Sequence, residues 1–80
     1  MNAFDILGDP VRRRIVELLA AQERTAGDIT EHVRTEFGIS QPAVSNHLRV
    51  LRENGFATAR PQGARRLYAL DDAALEEVGA

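Results

Sequence analysis

Two helical patterns meet at a short break in the middle of this chain, and that break limits the folds that the chain can adopt. Apolar residues at helical spacing predict one helix over 25–37, and Gly38 stands where a left-handed cap would end it. Ser40 is a favourable N-cap for another helix over 40–54. Two helices joined by a tight, glycine-containing turn are typical of a helix-turn-helix. The expected buried stripe of the earlier helix is Ile29, Val33 and Phe37.

The segments on either side of this pair complete one small domain. Asp9 can cap a preceding helix over 10–20, with Pro10 at its first position. Residues 56–70 have a strand pattern, and 71–78 predict a short C-terminal helix. The expected fold is therefore mostly α with a small β-wing.

The predicted wing is a hairpin that carries cations near its tip. Residues 56–60 and 66–70 can form two strands, with 61–65 as the loop between them. A tip of this kind suits the phosphate backbone or the minor groove of DNA, although a solvated hairpin tip would have a similar composition. Its polar residues are Gln62, Arg65 and Arg66.

The composition excludes several classes of protein. The chain has 80 residues and no cysteine, so it holds one domain without disulfides or thiolate metal sites. No apolar stretch is long enough to cross a bilayer and no signal-peptide pattern is present, so a cytoplasmic location is expected. No Ser/His/Asp constellation, paired-carboxylate cleft or glycine-rich phosphate loop indicates an enzyme. No cofactor is expected.

The net charge of −2 hides a strong segregation of charge along the chain. Residues 40–70 contain five arginines against one acid, Glu53, whereas 71–80 contain four acids and no cation. A polyanion responds to the local field rather than to the total charge. The middle of the chain can therefore bind a nucleic acid. The five arginines are Arg49, Arg52, Arg60, Arg65 and Arg66.

The helix over 40–54 has two contrasting faces. At 100° per residue, Val44, Leu48 and Leu51 point in one direction and predict the core side. The opposite arc carries short polar groups and arginine but no acid. Gln and Asn can pair with adenine edges and Arg with guanine, which favours base contact over a merely solvated face. The outward residues are Gln41, Pro42, Ser45, Asn46, Arg49 and Arg52.

The two histidines and the arginine run at 12–14 have less specific interpretations. His47 falls beside the core stripe, where a packed structural role is expected rather than a DNA contact. His32 has no third ligand nearby in the sequence, so metal binding by the pair is not expected. For the arginine run we prefer a solvated face, with Arg13 near Glu17, over phosphate contact.

Taken together, these residues resemble the ArsR-type winged-helix repressors. The stretch LGDPVRRRI at 7–15 is similar to the opening of that family, and SQPAVS at 40–45 is similar to the start of its recognition helix. The resemblance covers essentially the whole chain. It also includes His47, Leu48 and Leu51, and the wing residues Gly63, Arg66, Tyr68 and Leu70.

The resemblance implies a homodimeric bacterial repressor, nucleoid-associated, that binds an inverted repeat in double-stranded DNA. The implied DNA contacts are Ser40, Gln41, Pro42, Ser45, Asn46, Arg49, Arg65 and Arg66. In this family the first and last helices form the dimer interface, which here implies Phe4, Leu7, Leu75 and Val78. These exposed apolar ends also fit an alternative, a winged-helix module that binds another protein without direct DNA readout.

Three features depart from the family pattern. The Cys-x-Cys of metal-sensing members is absent from 25–29, and no histidine accompanies the acids of the last helix. The chain thus resembles the metal-independent autorepressor branch, with no metal site expected. The helix over 25–37 is also about one turn longer than expected of the family, and the last helix is short.

Overall fold

The computed structural model describes residues 2–71, which form four helices and a small antiparallel sheet. The predicted C-terminal helix over 71–78, with Leu75 and Val78, lies outside the described residues apart from Asp71. The elements are α1 (Ala3–Gly8), α2 (Pro10–Ala21), β1 (Arg24–Thr25), α3 (Ala26–Phe37), α4 (Gln41–Glu53), β2 (Ala57–Gln62) and β3 (Arg65–Leu70).

Local capping explains where the longer helices begin. The side chain of Asp9 accepts hydrogen bonds from the backbone N–H groups of Val11 and Arg12, at 2.8 and 3.1 Å. Thr25 caps α3 and Ser40 caps α4 in the same manner, each accepting from the N–H three residues later. Each cap satisfies donors that the first turn of a helix leaves without an internal partner.

The turn between α3 and α4 stays tight although α3 is long. Gly38 adopts a left-handed conformation (φ 65°), and its N–H donates to the carbonyl oxygen of Arg34 at 2.9 Å. A glycine is favoured there because a Cβ would strain this conformation. The extra helical turn is therefore accommodated within α3, which runs unbroken to Phe37.

The core lies where the inner faces of the four helices meet the sheet. Its most deeply buried side chains come from every helix: Ile6, Ile15, Ile29, Val33, Val44 and Leu51. Phe37, predicted as part of the α3 stripe, is instead 37% exposed. It lies one turn beyond Val33, at the end of α3, where the helix extends past the core. The prediction that Leu7 is exposed is also wrong, because it packs partly buried against the core.

The sheet has the strand order β1-β3-β2, so β3 is central and β2 lies at the edge. The predicted loop over 61–65 is too long, since Pro61 and Gln62 pair with Arg66 and Arg65. Proline is tolerated because an edge strand has one side without partners. The turn is thus reduced to Gly63 and Ala64, with Gly63 at φ 61°. The short strand β1 was not predicted at all.

The cap of α2 gives a direct test of this local structure. Replacing Asp9 with alanine should cost about 1 kcal/mol of unfolding free energy, since two backbone donors lose their partner. Replacing Asp9 with asparagine should cost much less, because the amide oxygen can accept the same bonds. Urea denaturation of the three proteins measures both effects. Equal losses for the two variants would contradict the capping role.

Candidate nucleic-acid interface

The outward face of α4 is the main surface on which the predicted site residues lie. Val44, Leu48 and Leu51 are buried at 0–3% exposure, which fixes the rotation of the helix about its axis. The opposite face is consequently presented to solvent. Six predicted contact residues of this segment are exposed: Ser40, Gln41, Pro42, Ser45, Asn46 and Arg49.

A cleft of about 520 Å³ joins this face of α4 to the wing and to the start of α3. Gln41, Ser45 and Arg49 line it from α4, and Arg66 lines it from β3. The fold therefore brings Arg66 together with side chains that are 17 to 25 residues away in the chain. Further lining residues that were not predicted as site residues are Gly27, Thr30, Leu48, Arg52 and Tyr68.

The remaining predicted residues lie beside this cleft. Ser40 uses its hydroxyl oxygen to accept from the N–H of Ala43 at 3.3 Å, so it is first of all the N-cap of α4. The side-chain carbonyl of Asn46 accepts a hydrogen bond from the guanidinium of Arg49. Arg65 lines an adjoining hollow of about 690 Å³ between the wing and α3.

The arginines divide into groups according to their partners. Three form carboxylate ion pairs: Arg14 with Glu36, Arg24 with Asp28, and Arg60 with Glu23. Two others donate to backbone carbonyl oxygens of α1: Arg12 and Arg13. The other five have no carboxylate within ion-pair distance among residues 2–71: Arg34, Arg49, Arg52, Arg65 and Arg66.

These five arginines surround one part of α3, whereas Arg12 and Arg13, which also lack a carboxylate partner among residues 2–71, contact α1. Each of the five lines at least one of three hollows: the cleft beside α4, the hollow between the wing and α3, and a third hollow of about 560 Å³ lined by Arg34. Gly27 borders all three. Charges that are paired with acids contribute little to the outer field, whereas unpaired ones attract a polyanion. We call the surface defined by Arg34, Arg49, Arg52, Arg65 and Arg66 around Gly27 the cationic face.

Two sequence expectations about arginine need correction. Arg60 was counted with the cationic stretch, but Glu23, just before β1, binds its guanidinium through two hydrogen bonds of 3.2 and 3.1 Å. Glu17 was expected near Arg13, but its partner is Arg14 at 3.5 Å. Arg13 instead donates to the carbonyl oxygen of Leu7 at 3.3 Å.

Sequence reasoning missed Arg34 as a member of the cationic face. It lies on α3, seven residues after Gly27 and four after Thr30, which puts the three on one side of a helix. That periodicity groups Arg34 with Gly27 and Thr30, but only the packing of α3 against α4 and the wing shows that this side borders the cleft.

His47 has a structural partner, as its position beside the core stripe suggested. The Nη1 atom of Arg12 lies 3.3 Å from Nδ1 of His47. A guanidinium can only donate, so the contact is a hydrogen bond when Nδ1 of His47 accepts. The same guanidinium donates to the carbonyl oxygens of Ile6 and Asp5 at 3.0 and 3.1 Å. Arg12 thus connects the end of α1 to α4.

Two kinds of site are not found in the part of the chain that the structure describes. No three His, Cys, Asp or Glu side chains among residues 2–71 come close enough to hold a metal ion. Over the same residues, no helix has the length and hydropathy needed to span a bilayer.

The geometry agrees with what comparison with known proteins shows. Residues 9–59 match the family described as bacterial regulatory protein, arsR family. The chain belongs to the ArsR family. It is 37% identical over 76 residues to the transcriptional repressor SdpR of Bacillus subtilis, covering 95% of this chain and 80% of that repressor.

Solved structures of ArsR-type regulators have the same fold. A possible transcriptional regulator for arsenical resistance superposes with a TM-score of 0.85 at 37% identity, covering 99% of this chain and 78% of that one. A homodimeric winged helix-turn-helix DNA-binding domain from Mycobacterium bovis gives 0.76 at 26% identity, covering 92% and 65%. The protein is therefore a winged helix-turn-helix, DNA-binding transcriptional regulator and not an enzyme.

The pairing of Arg14 with Glu36 predicts a pH dependence of stability. Hydrogen bonds from Arg14 lower the pKa of Glu36, and partial desolvation only partly opposes this. A lowered folded-state pKa stabilises the fold above the ordinary carboxyl pKa, and this contribution is lost as the pH falls through the lowered value. Glu36→Gln should therefore be less stable than the wild type at neutral pH but not at about pH 2.

Thermal unfolding of both proteins across this pH range measures the difference. Glu31→Gln is a matched control, because Glu31 lies on the same helix and makes no ion pair with the described residues. A stability gap between Glu36→Gln and wild type that stays constant down to about pH 2 would show that the pair is not formed in solution.

Proposed function

We propose that the protein is a homodimeric repressor that reads an inverted-repeat operator with α4 and grips the DNA backbone with its wing. The observation that carries this proposal is the cleft in which Gln41, Ser45 and Arg49 face Arg66 with no neutralising acid among its lining residues. A repressor acts where its DNA lies, so the proposal implies a cytoplasmic location at the bacterial nucleoid.

The side chains of α4 suit readout in the major groove. An arginine can bind guanine O6 and N7 together, and glutamine or asparagine can bind adenine in the same bidentate manner. The hydrogen bond from Arg49 to Asn46 holds the guanidinium over the outward face of α4. A guanidinium held in this way loses less conformational entropy when it binds a base.

The wing suits the phosphate backbone. Arg65 and Arg66 are exposed, and the register of the hairpin places Arg65 directly beside the turn at Gly63 and Ala64. Contacts of this kind position a protein on DNA but carry no sequence information themselves. We therefore assign base readout to α4 and backbone contact to the wing.

The proposed dimer rests on α1. Phe4 is 90% exposed, so a second copy that covered α1 would bury a large aromatic side chain. Leu7 lies on the same short helix and is partly buried. A two-fold dimer would place two α4 helices about 34 Å apart, in successive major grooves, and would match an inverted repeat. Leu75 and Val78 stay predictions, because they lie outside the described residues.

The division of roles between α4 and the wing is testable in DNA binding. Arg49→Ala should weaken binding to an operator obtained by selection from random DNA by about 1–3 kcal/mol, and should relax the sequence preference. Arg65→Ala should weaken binding to operator and random DNA alike, and lower the salt slope by about one for each protomer. Fluorescence anisotropy on both duplexes over a range of salt concentrations measures these effects.

Arg60→Ala is the matched control, because Glu23 already neutralises Arg60. It should change binding less than either of the other variants. Loss of specificity to the same extent from Arg49→Ala and Arg65→Ala would contradict the assigned roles. Wild-type binding that is independent of salt would contradict DNA binding through the cationic face.

The dimer proposal is tested by removing the exposed aromatic ring of α1. Phe4→Ser should shift the wild-type dimer toward monomer, and should weaken binding to a full inverted repeat more than to a single half-site. Sedimentation equilibrium measures the association. Phe37→Ser is the control, since Phe37 is the other exposed large apolar residue of the described chain but lies on α3. Equal effects of the two substitutions would argue against α1 as the interface.

A further inference from the structure

The last turn of α3 is fixed to the domain on one side and open on the other. Both carboxylate oxygens of Glu36 accept from the guanidinium of Arg14 on α2, at 2.9–3.3 Å. The left-handed cap at Gly38 closes the end of the helix through a bond to the carbonyl oxygen of Arg34. The side chain of Arg34 itself is exposed and makes no ion pair among residues 2–71.

Arg34 lines a hollow of about 560 Å³ that also contains Gly38 and Ile39, the residues of the turn before α4. This hollow shares Gly27 and Thr30 with the cleft between α4 and the wing. Arg34 therefore lies beside the surface with which α4 reads bases. It is the arginine of the cationic face that lies at the C-terminal end of α3. A cation in the last turn of a helix is also favoured by the helix dipole.

We propose that Arg34 binds a phosphate of the DNA backbone outside the base pairs that α4 reads. This inference rests on the proposed function, because it extends the DNA contact from α4 and the wing to the end of α3. In helix-turn-helix proteins the helix before the recognition helix crosses the DNA backbone. Here the Glu36–Arg14 pair anchors the final turn of that helix, and Arg34 extends from the opposite side as a charged group without an acidic partner.

Glu31 borders the same hollow as Arg34 and places a negative charge beside the proposed phosphate contact. It is exposed and, unlike Glu36, has no cationic partner within ion-pair distance in the described chain. Its carboxylate would repel a phosphate that binds to Arg34. The proposal therefore requires that Glu31→Gln tighten DNA binding, whereas Arg34→Gln weaken it.

The first measurement is the salt dependence of operator binding by the full chain. Each phosphate contact contributes a slope of about −0.9 in log affinity against log salt concentration. Arg34→Gln should reduce the slope by about 0.9 per protomer, so that raising salt from 50 to 200 mM costs each protomer about 3.5-fold less affinity than in the wild type. Arg34→Lys should retain most of the slope, because it keeps the point charge.

Arg13→Gln is the charge-matched control. Arg13 is an exposed cation on α2 that donates to the carbonyl oxygen of Leu7 and borders none of the three hollows. The Arg13→Gln variant loses the same charge as Arg34→Gln and should leave the salt slope nearly unchanged. Phosphate-ethylation interference gives an independent readout. One interfering phosphate at the edge of each half-site should disappear in Arg34→Gln and persist in Arg13→Gln.

The outcomes separate this inference from the proposed function. If the wild type binds DNA with a steep salt slope but Arg34→Gln and Arg13→Gln behave alike, Arg34 makes no phosphate contact and the inference is overturned. If the wild type binds no duplex, the proposed function itself fails. Circular dichroism of each variant checks the fold, and Arg34→Lys provides a second variant that retains both helix propensity and charge.

Discussion

The one-sided burial of α4 is the constraint on which the rest of the molecule depends. Val44, Leu48 and Leu51 are packed into the core, and a helix is rigid, so their burial fixes the direction of every other side chain on it. Gln41 and Arg49 face outward because the opposite side of α4 is buried, and not because of an attraction of their own to another group. Burying one Leu or Val side chain stabilises the fold by about 1.5–3 kcal/mol relative to leaving it exposed. The rotation of α4 about its axis is therefore strongly determined.

Charge pairing then decides which part of the surface can bind a polyanion. The protein is acidic overall, but described acids such as Glu23 and Glu36 pair with arginines that do not belong to the cationic face. Exposed pairs of this kind contribute little to stability. Their larger effect is on the electrostatic field around the protein, because these acids leave the five arginines around Gly27 with their full charge.

Arg12 connects the proposed dimer surface to the proposed DNA surface. Its guanidinium holds the carbonyl oxygens of Asp5 and Ile6 at the end of α1, and it also reaches His47 on α4. The side chain of Arg12 is therefore a direct contact between α1 and α4. The contact also gives the histidine of α4 a partner inside the protein, which fits a packing role rather than base readout.

The positions and caps of α2, α3 and α4, and the inward and outward faces of α4, could be predicted from the sequence, because they depend on neighbours within four residues. The family resemblance fixed the fold class for the same reason, since its motifs are local. The sequence could not show β1, the exposure of Phe37, the Arg14–Glu36 pair or the place of Arg34 on the cationic face. These depend on residues that are distant in the chain, and only the packing of helices and strands determines which distant groups meet.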